Sequence, residues 1–350
     1  DTSATIDRVD SDGSVDDVTD ATQSDLVTTS GNGSIVLRVT TGDLTLNDGT
    51  ANNDNTAVRA HGTGNILLET IGGDIRINAN VLSGSGHITA KASVGIDLAA
   101  GVNVVTASTG TVAFEAETGA LTMDGTANIQ ATNSSVRLSA ELDVTLGNVT
   151  AKNVSILSDE DVVNAAGSTK NVTATNLRID ARDSVGVAGR HITTDINNLS
   201  VLAETGSIFI TEDNRAVVTN VSATVSEFNS DATTTGVTDA NQSDLTTGAN
   251  GDIVLIAKLG NIILNNGADT AGETVNADGT GRILIDARSG SLIANADILS
   301  KSGIITLTGK VNVDLRAGVD VVTAANISIA AEAGALIMRG ATTVEAAASS

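Results

Sequence analysis

The sequence predicts an all-β protein, an elongated right-handed parallel β-helix (β-solenoid) with about 22 residues per coil. Three observations lead there. The stretch GNILLETIGGDIRINANVL at 64–82 returns at 281–299 as GRILIDARSGSLIANADIL, and looser versions fill the space between. Within each version a second short apolar run starts 8 or 9 residues after the first, as from Ile66 to Ile75 and from Ile88 to Ile96. The 350 residues hold no Trp, Tyr, Pro or Cys and only 3 Phe, yet 41% are hydrophobic. Aromatics fill irregular gaps between elements, so their scarcity implies a narrow interior in which one aliphatic layer resembles the next.

A long repeat contains the short one. Residues 4–26, ATIDRVDSDGSVDDVTDATQSDL, match 223–245, ATVSEFNSDATTTGVTDANQSDL, and the match runs on to the end of the chain. The organisation expected is one repeat unit at 1–219 and a partial second unit at 220–350, continuous with it. The chain begins at Asp1 with no signal peptide, as expected of a processed protein or a piece of a longer one.

The elements follow in order. The first inward residues of successive runs are Ile35, Ile66, Ile88, Val112, Val136, Val154, Leu177, Leu199, Val221, Ile253, Ile283, Ile305 and Ile327, most of them 18 to 24 residues apart. The longer steps contain insertions, such as 47–62 and 265–280. Alternation with a period of two makes the runs strands. Runs of three to five residues are too short for helices, and equivalent runs one coil apart would stack in parallel. A single short strand cannot bury its inner face, whereas stacked coils share one core. Right-handedness follows from the irregular coil length and from the crossover rule for parallel strands.

Two side-chain ladders are expected. Asn153, Asn176, Asn198 and Asn220 precede successive first strands at spacings of 23, 22 and 22. At ~4.8 Å between coils their amides would pair in a column. Facing outward, Arg38, Glu69, Lys91 and Glu115 share one strand position, where the second unit has Ile256, Asp286, Thr308 and Ala330. Val36, Leu67, Val254, Ile256 and Leu284 are apolar and also face outward. They imply lateral packing, or cover by the loops 47–62 and 265–280.

Composition and motifs argue against most chemistry. A net charge of −23 opposes binding to nucleic acid, and no run of ~20 apolar residues crosses a membrane. Without cysteine there is no disulfide framework and no Cys-ligated metal. His61, His87 and His191 lie far apart and read as structural. A polysaccharide lyase needs clustered acids, but Glu69, Glu115, Asp180 and Asp286 are scattered along the series, so no enzyme is expected. No cofactor is expected either. A calcium site is weighed at DRVDSDGSVDD, with Asp7, Asp10, Asp12, Asp16 and Asp17 around a glycine turn; a solvated acidic loop is the plainer reading.

The turns GGDIRIN, GDLTLN, GSIFIT and GNIILN resemble those of filamentous haemagglutinin-type exoproteins and of the giant repeat adhesins of bacteria. That resemblance implies secretion, a right-handed β-solenoid, and an extracellular or cell-surface location. The expected function is structural, as part of an extracellular filament or adhesin stalk. The chain would pair with itself head to tail along a fibre, or form part of a longer chain. The alternative is an adhesin whose insertion loops bind a glycan or a neighbouring cell as its surface ligand.

Overall fold

The computed structural model describes residues 1–268 and 272–347. These residues form an all-β chain with no helix, dominated by long parallel sheets of many strands. The arrangement is consistent with a β-solenoid.

Three columns of strands build the first unit. The front column runs through Ile35–Val39, Ile66–Thr70, Ile88–Ala92 and Val112–Ala116, paired in parallel with Ile35 opposite Ile66, Ile66 opposite Ile88, and Ile88 opposite Val112. It continues through Val136, Val154, Leu177 and Leu199 in the later halves of longer strands. A side column of six strands runs from Leu44–Leu46 to Val162–Asn164. A third column includes Thr56–Ala60, Asn80–Ser83 and Asn103–Val105. Alternation turns Ile66, Leu68, Ile75, Ile77 and Val81 into one core, all fully buried. Each such side chain contributes roughly 1.5–3 kcal/mol when taken from water.

One corner of the stack requires glycine. A Cβ on Gly64 would meet the Gly33 carbonyl, one on Gly86 the Gly64 carbonyl, and one on Gly110 the Gly86 carbonyl. Adjacent coils turn here with their backbones in contact, leaving no room for a side chain.

At the junction between units the columns change partners. Val162, Val185 and Ile208 bridge in parallel up the side column, and Ile253 stacks on Ile208. Leu245–Thr247 takes the place above Val201–Ala203 in the front column. Ala216–Val218 carries Ile262–Leu264. The core series read from sequence as one ladder is therefore two. Ile35 to Leu199 form the front column, whereas Ile253, Ile283, Ile305 and Ile327 continue the side column. The first strand of the second unit is thereby displaced onto the side and third columns, and its second and third strands stack over the front column.

Two antiparallel hairpins interrupt this pattern. Thr5–Val9 pairs with Val15–Thr19, and Val221–Phe228 pairs with Thr234–Gln242. Val221, aligned in sequence with the core series, belongs to the second hairpin. The two turns are built alike. Gly13 N donates to Asp10 O and Ala232 N to Asn229 O, with φ of +82° at Gly13 and +66° at Ala232. A type I turn followed by a left-handed residue is a common hairpin connection.

Candidate functional site: an outer face covered by a hairpin

The second hairpin lies along the outer face of the front column. The outward positions of that column form a row in register: Val36, Leu67, Thr89, Ala113, Arg137, Ser155, Arg178 and Ser200. Small or hydroxyl-bearing residues let a second layer approach. Phe228 N donates to Thr89 Oγ1 at 2.8 Å, and Thr111 Oγ1 donates to Ser226 O at 2.7 Å. Lys91 Nζ meets Glu227 at 2.6 Å. Arg137 Nε meets Asp239 at 3.0 Å. Arg178 Nε donates to Ala240 O, and Gln242 Nε2 donates to Ile179 O.

Under this cover Val225 and Phe228 are each 1% exposed. Glu227 and Asp239 are buried, each paired with a half-buried cation. Burial works against the charge on Lys91, but Glu227 and Glu115 outweigh it and raise its pKa. An acid that loses its cation in such a place would be left charged and dry, which is costly.

The outward row that continues beyond the junction carries no hairpin among the described residues, although His191 packs against its Phe209 ring at 5.5 Å between centroids. Phe209, Val254, Leu284, Thr306 and Ser328 stack in register. The first four are only half-buried, and Ser328 is exposed. The first four line a shallow groove together with Ala188, Ile304 and the ion pair of Asp252 with Arg282. The cover supplied to Thr89 through Arg178 is the hairpin, which sequence reading had divided between a core strand and an acidic loop. Its signal was the apolar alternation of Val221, Ala223 and Val225. Among the described residues, neither loop expected as cover lies over the outward row: 47–62 contributes the strand Thr56–Ala60 to the third column, and 265–280, of which 269–271 lie outside the described residues, contributes the strand Glu273–Ala277, stacked in parallel between Leu245–Thr247 and Asp297–Ser300.

The ladders are placed as follows. Asn176 Nδ2 donates to Asn153 Oδ1, and Asn198 Nδ2 to Asn176 Oδ1, both at 2.7 Å. Asn220 does not stand on this ladder. Val217 lies opposite Asn198, and Asn220 Oδ1 accepts from Ala268 N, because the column shift has already begun there. A further asparagine contact at the third column links Asn103 Nδ2 to Asn80 Oδ1 at 3.2 Å; its signal was the 23-residue spacing. In the charge ladder Arg38 pairs with Glu69, and Lys91 with Glu115.

The scattered acids are held in ion pairs, Asp180 with Arg178 and Asp286 with Arg288. Of the aspartates weighed for calcium, Asp10 holds Arg8, and Asp12 accepts from Ser14 N and Oγ. Asp7 lies opposite Asp17, and Asp16 opposite Arg8. The acids that converge are others: Asp25, Asp48 and Asp54 bring carboxylate oxygens within 4.8 Å of one another. Loop amides occupy them, with Asn55 N on Asp48 and Thr56 N on Asp54. The histidines stay apart. The His61 ring N–H donates to Gly31 O, whereas His87 Nδ1 accepts from Thr111 N. Burial lowers the pKa of His87 and of His191.

One buried acid was missed. Glu212 points into the interior at the junction, in the column where Ala257 and Ala287 follow. Burial raises its pKa against hydrogen bonds from Thr194, Asn214 and Ile196.

No helix among the described residues is long and apolar enough to cross a membrane. Comparison with protein-family models, curated proteins and solved structures finds no match to the chain.

Proposed function

We propose that the chain is a structural segment of an extracellular filament or adhesin stalk. It is built as an elongated right-handed β-solenoid of about 22 residues per coil in tandem units. The observation that supports this best is continuity. Parallel pairing passes through the junction without a break, from Val162 through Val185, Ile208 and Ile253 to Ile327. A binding domain needs a boundary; a stalk needs none, because stability comes from neighbour on neighbour. The working residues are then the inward aliphatic columns and the asparagine ladder. The likeness of GGDIRIN and GDLTLN to haemagglutinin-type turns supports surface display.

Small-angle scattering and negative-stain imaging of the purified chain test the reading. A rod with a rise of ~4.8 Å per coil is expected. A globular particle would overturn it.

A further inference from the structure

We propose that the outward row Phe209, Val254, Leu284 and Thr306 receives the N-terminal hairpin, Thr5–Val9 with Val15–Thr19, of a second copy of this chain. The inference rests on the filament reading and deepens it by naming how copies engage.

The donor comes first. The two hairpins share sequence, register and turn geometry, so their faces correspond. Ile6 stands for Val225, Val9 for Phe228, Val18 for Val237 and Asp20 for Asp239. In the second hairpin this face is covered; in the first, Ile6 is 64% exposed and Val9 70%. An apolar face of this kind on a two-stranded hairpin has only another surface to stabilise it.

The acceptor follows from the covered case. A hairpin of this design seats on the outward row of a parallel column, as Phe228 and Ser226 do on Thr89 and Thr111. Val254, Leu284 and Thr306 are the repeat equivalents of Val36, Leu67 and Thr89 in that row, and Phe209 adds an aromatic one coil below Val254. Ile304 stands beside them, 45% exposed.

The covered case's lysine–glutamate pair is not repeated: at the place of Lys91 the acceptor has Thr308, and Asp286, one coil away, already holds Arg288. In the covered case Glu227 meets Lys91. In the first hairpin Arg8 holds the position of Glu227, and no lysine or arginine stands in the equivalent row of the acceptor. That row reads Thr211, Ile256, Asp286, Thr308 and Ala330, with Asp286 its one charge.

Geometry excludes docking within one chain. The first coil and the level of Phe209 are separated by seven parallel pairings along the front column, or ~34 Å at ~4.8 Å each. A five-residue hairpin arm spans only ~17 Å at ~3.4 Å per residue.

The chain contains no cysteine, so engineered thiols report contact cleanly. An Ile6→Cys chain is mixed with a Leu284→Cys chain and treated with a short bismaleimide. Covalent dimer should form about tenfold faster than with an Asp97→Cys chain, whose thiol sits on the side column of the first unit. Adding Val9→Asp and Val18→Asp to the Ile6→Cys chain changes only exposed apolar residues of the hairpin and should abolish the excess. Equal rates for Leu284→Cys and Asp97→Cys would overturn the proposal. So would faster linkage of Ile6→Cys chains to one another. Rods in micrographs together with equal cross-linking rates would sink the docking alone and leave the filament reading standing.

Discussion

The front face of the first unit and its displaced equivalent in the second carry the same kind of row, yet one is roofed and the other open. The roofed row is mixed, with Leu67 and Ala113 buried and Thr89, Arg137, Ser155 and Arg178 each answered by the hairpin or packed beneath it. In the open row Phe209, Val254 and Leu284 are half-buried, and His191 packs against the Phe209 ring. The hairpins mirror this: Phe228 is buried where Val9 is exposed. The lesson is that the columns supply stability and the hairpins supply contact. Each hairpin residue takes its energetic weight from the face beneath it, so equivalent positions in the two units should respond very differently to the same change.

The largest difference is expected at the apolar anchor. Phe228→Ala should loosen the second hairpin by about 3–5 kcal/mol, as for other buried aromatics. Faster amide exchange over 223–228 is the readout. Val9→Ala, at the equivalent position, should change exchange hardly at all. Comparable effects would break the contrast between the two faces. Next comes the buried ion pair. Asp239→Ala strands Arg137, whose side chain is 13% exposed, and should cost about 2–3 kcal/mol in the same measurement. Asp20→Ala should stay within about 0.5 kcal/mol.

The turn gives a smaller effect with opposite signs in the two hairpins. Ala232 pays for a left-handed φ of +66° that Gly13 adopts freely at +82°. Ala232→Gly should stabilise its hairpin by about 1 kcal/mol, and Gly13→Ala should destabilise the other by a similar amount. Last is a dependence on pH, beneath the open row. Burial raises the pKa of Glu212, so the folded chain holds that proton more tightly than the unfolded chain. Stability should therefore fall as pH rises from the ordinary carboxylate value, about 4.3, through the raised folded value. Glu212→Gln should flatten that fall in denaturation curves taken from pH 4 to pH 8. A variant that follows the parent's slope would assign the fall to other groups.

Much of this was legible in the sequence because strands repeat in one dimension. Ile66 and Ile88 are 22 residues apart, and an inward aliphatic at that spacing has few places to go but onto its predecessor. Asn153, Asn176 and Asn198 were readable for the same reason. The column shift was not legible. All three columns accept the same short aliphatic run, so Ile253 looks the same whether it follows Leu199 or Ile208. The second hairpin was hidden by a related ambiguity, since Val221 alternates like a core strand and its return arm reads as acidic loop. The candidate contact face was the least legible part. It depends on which outward residues are roofed, and that is set by pairing across more than a hundred residues, as between Lys91 and Glu227.

The one-column displacement at the junction has a geometric result for any run of such units. Were every junction to repeat the shift of Ile253 onto Ile208, each unit would begin one column further round than its predecessor. Its clasp would be presented to a fresh compass bearing, and the original bearing would come round again only at the fourth. If the chain serves in a filament as proposed, neighbours would then be gripped on successive sides by turns, as strands are bound in a rope.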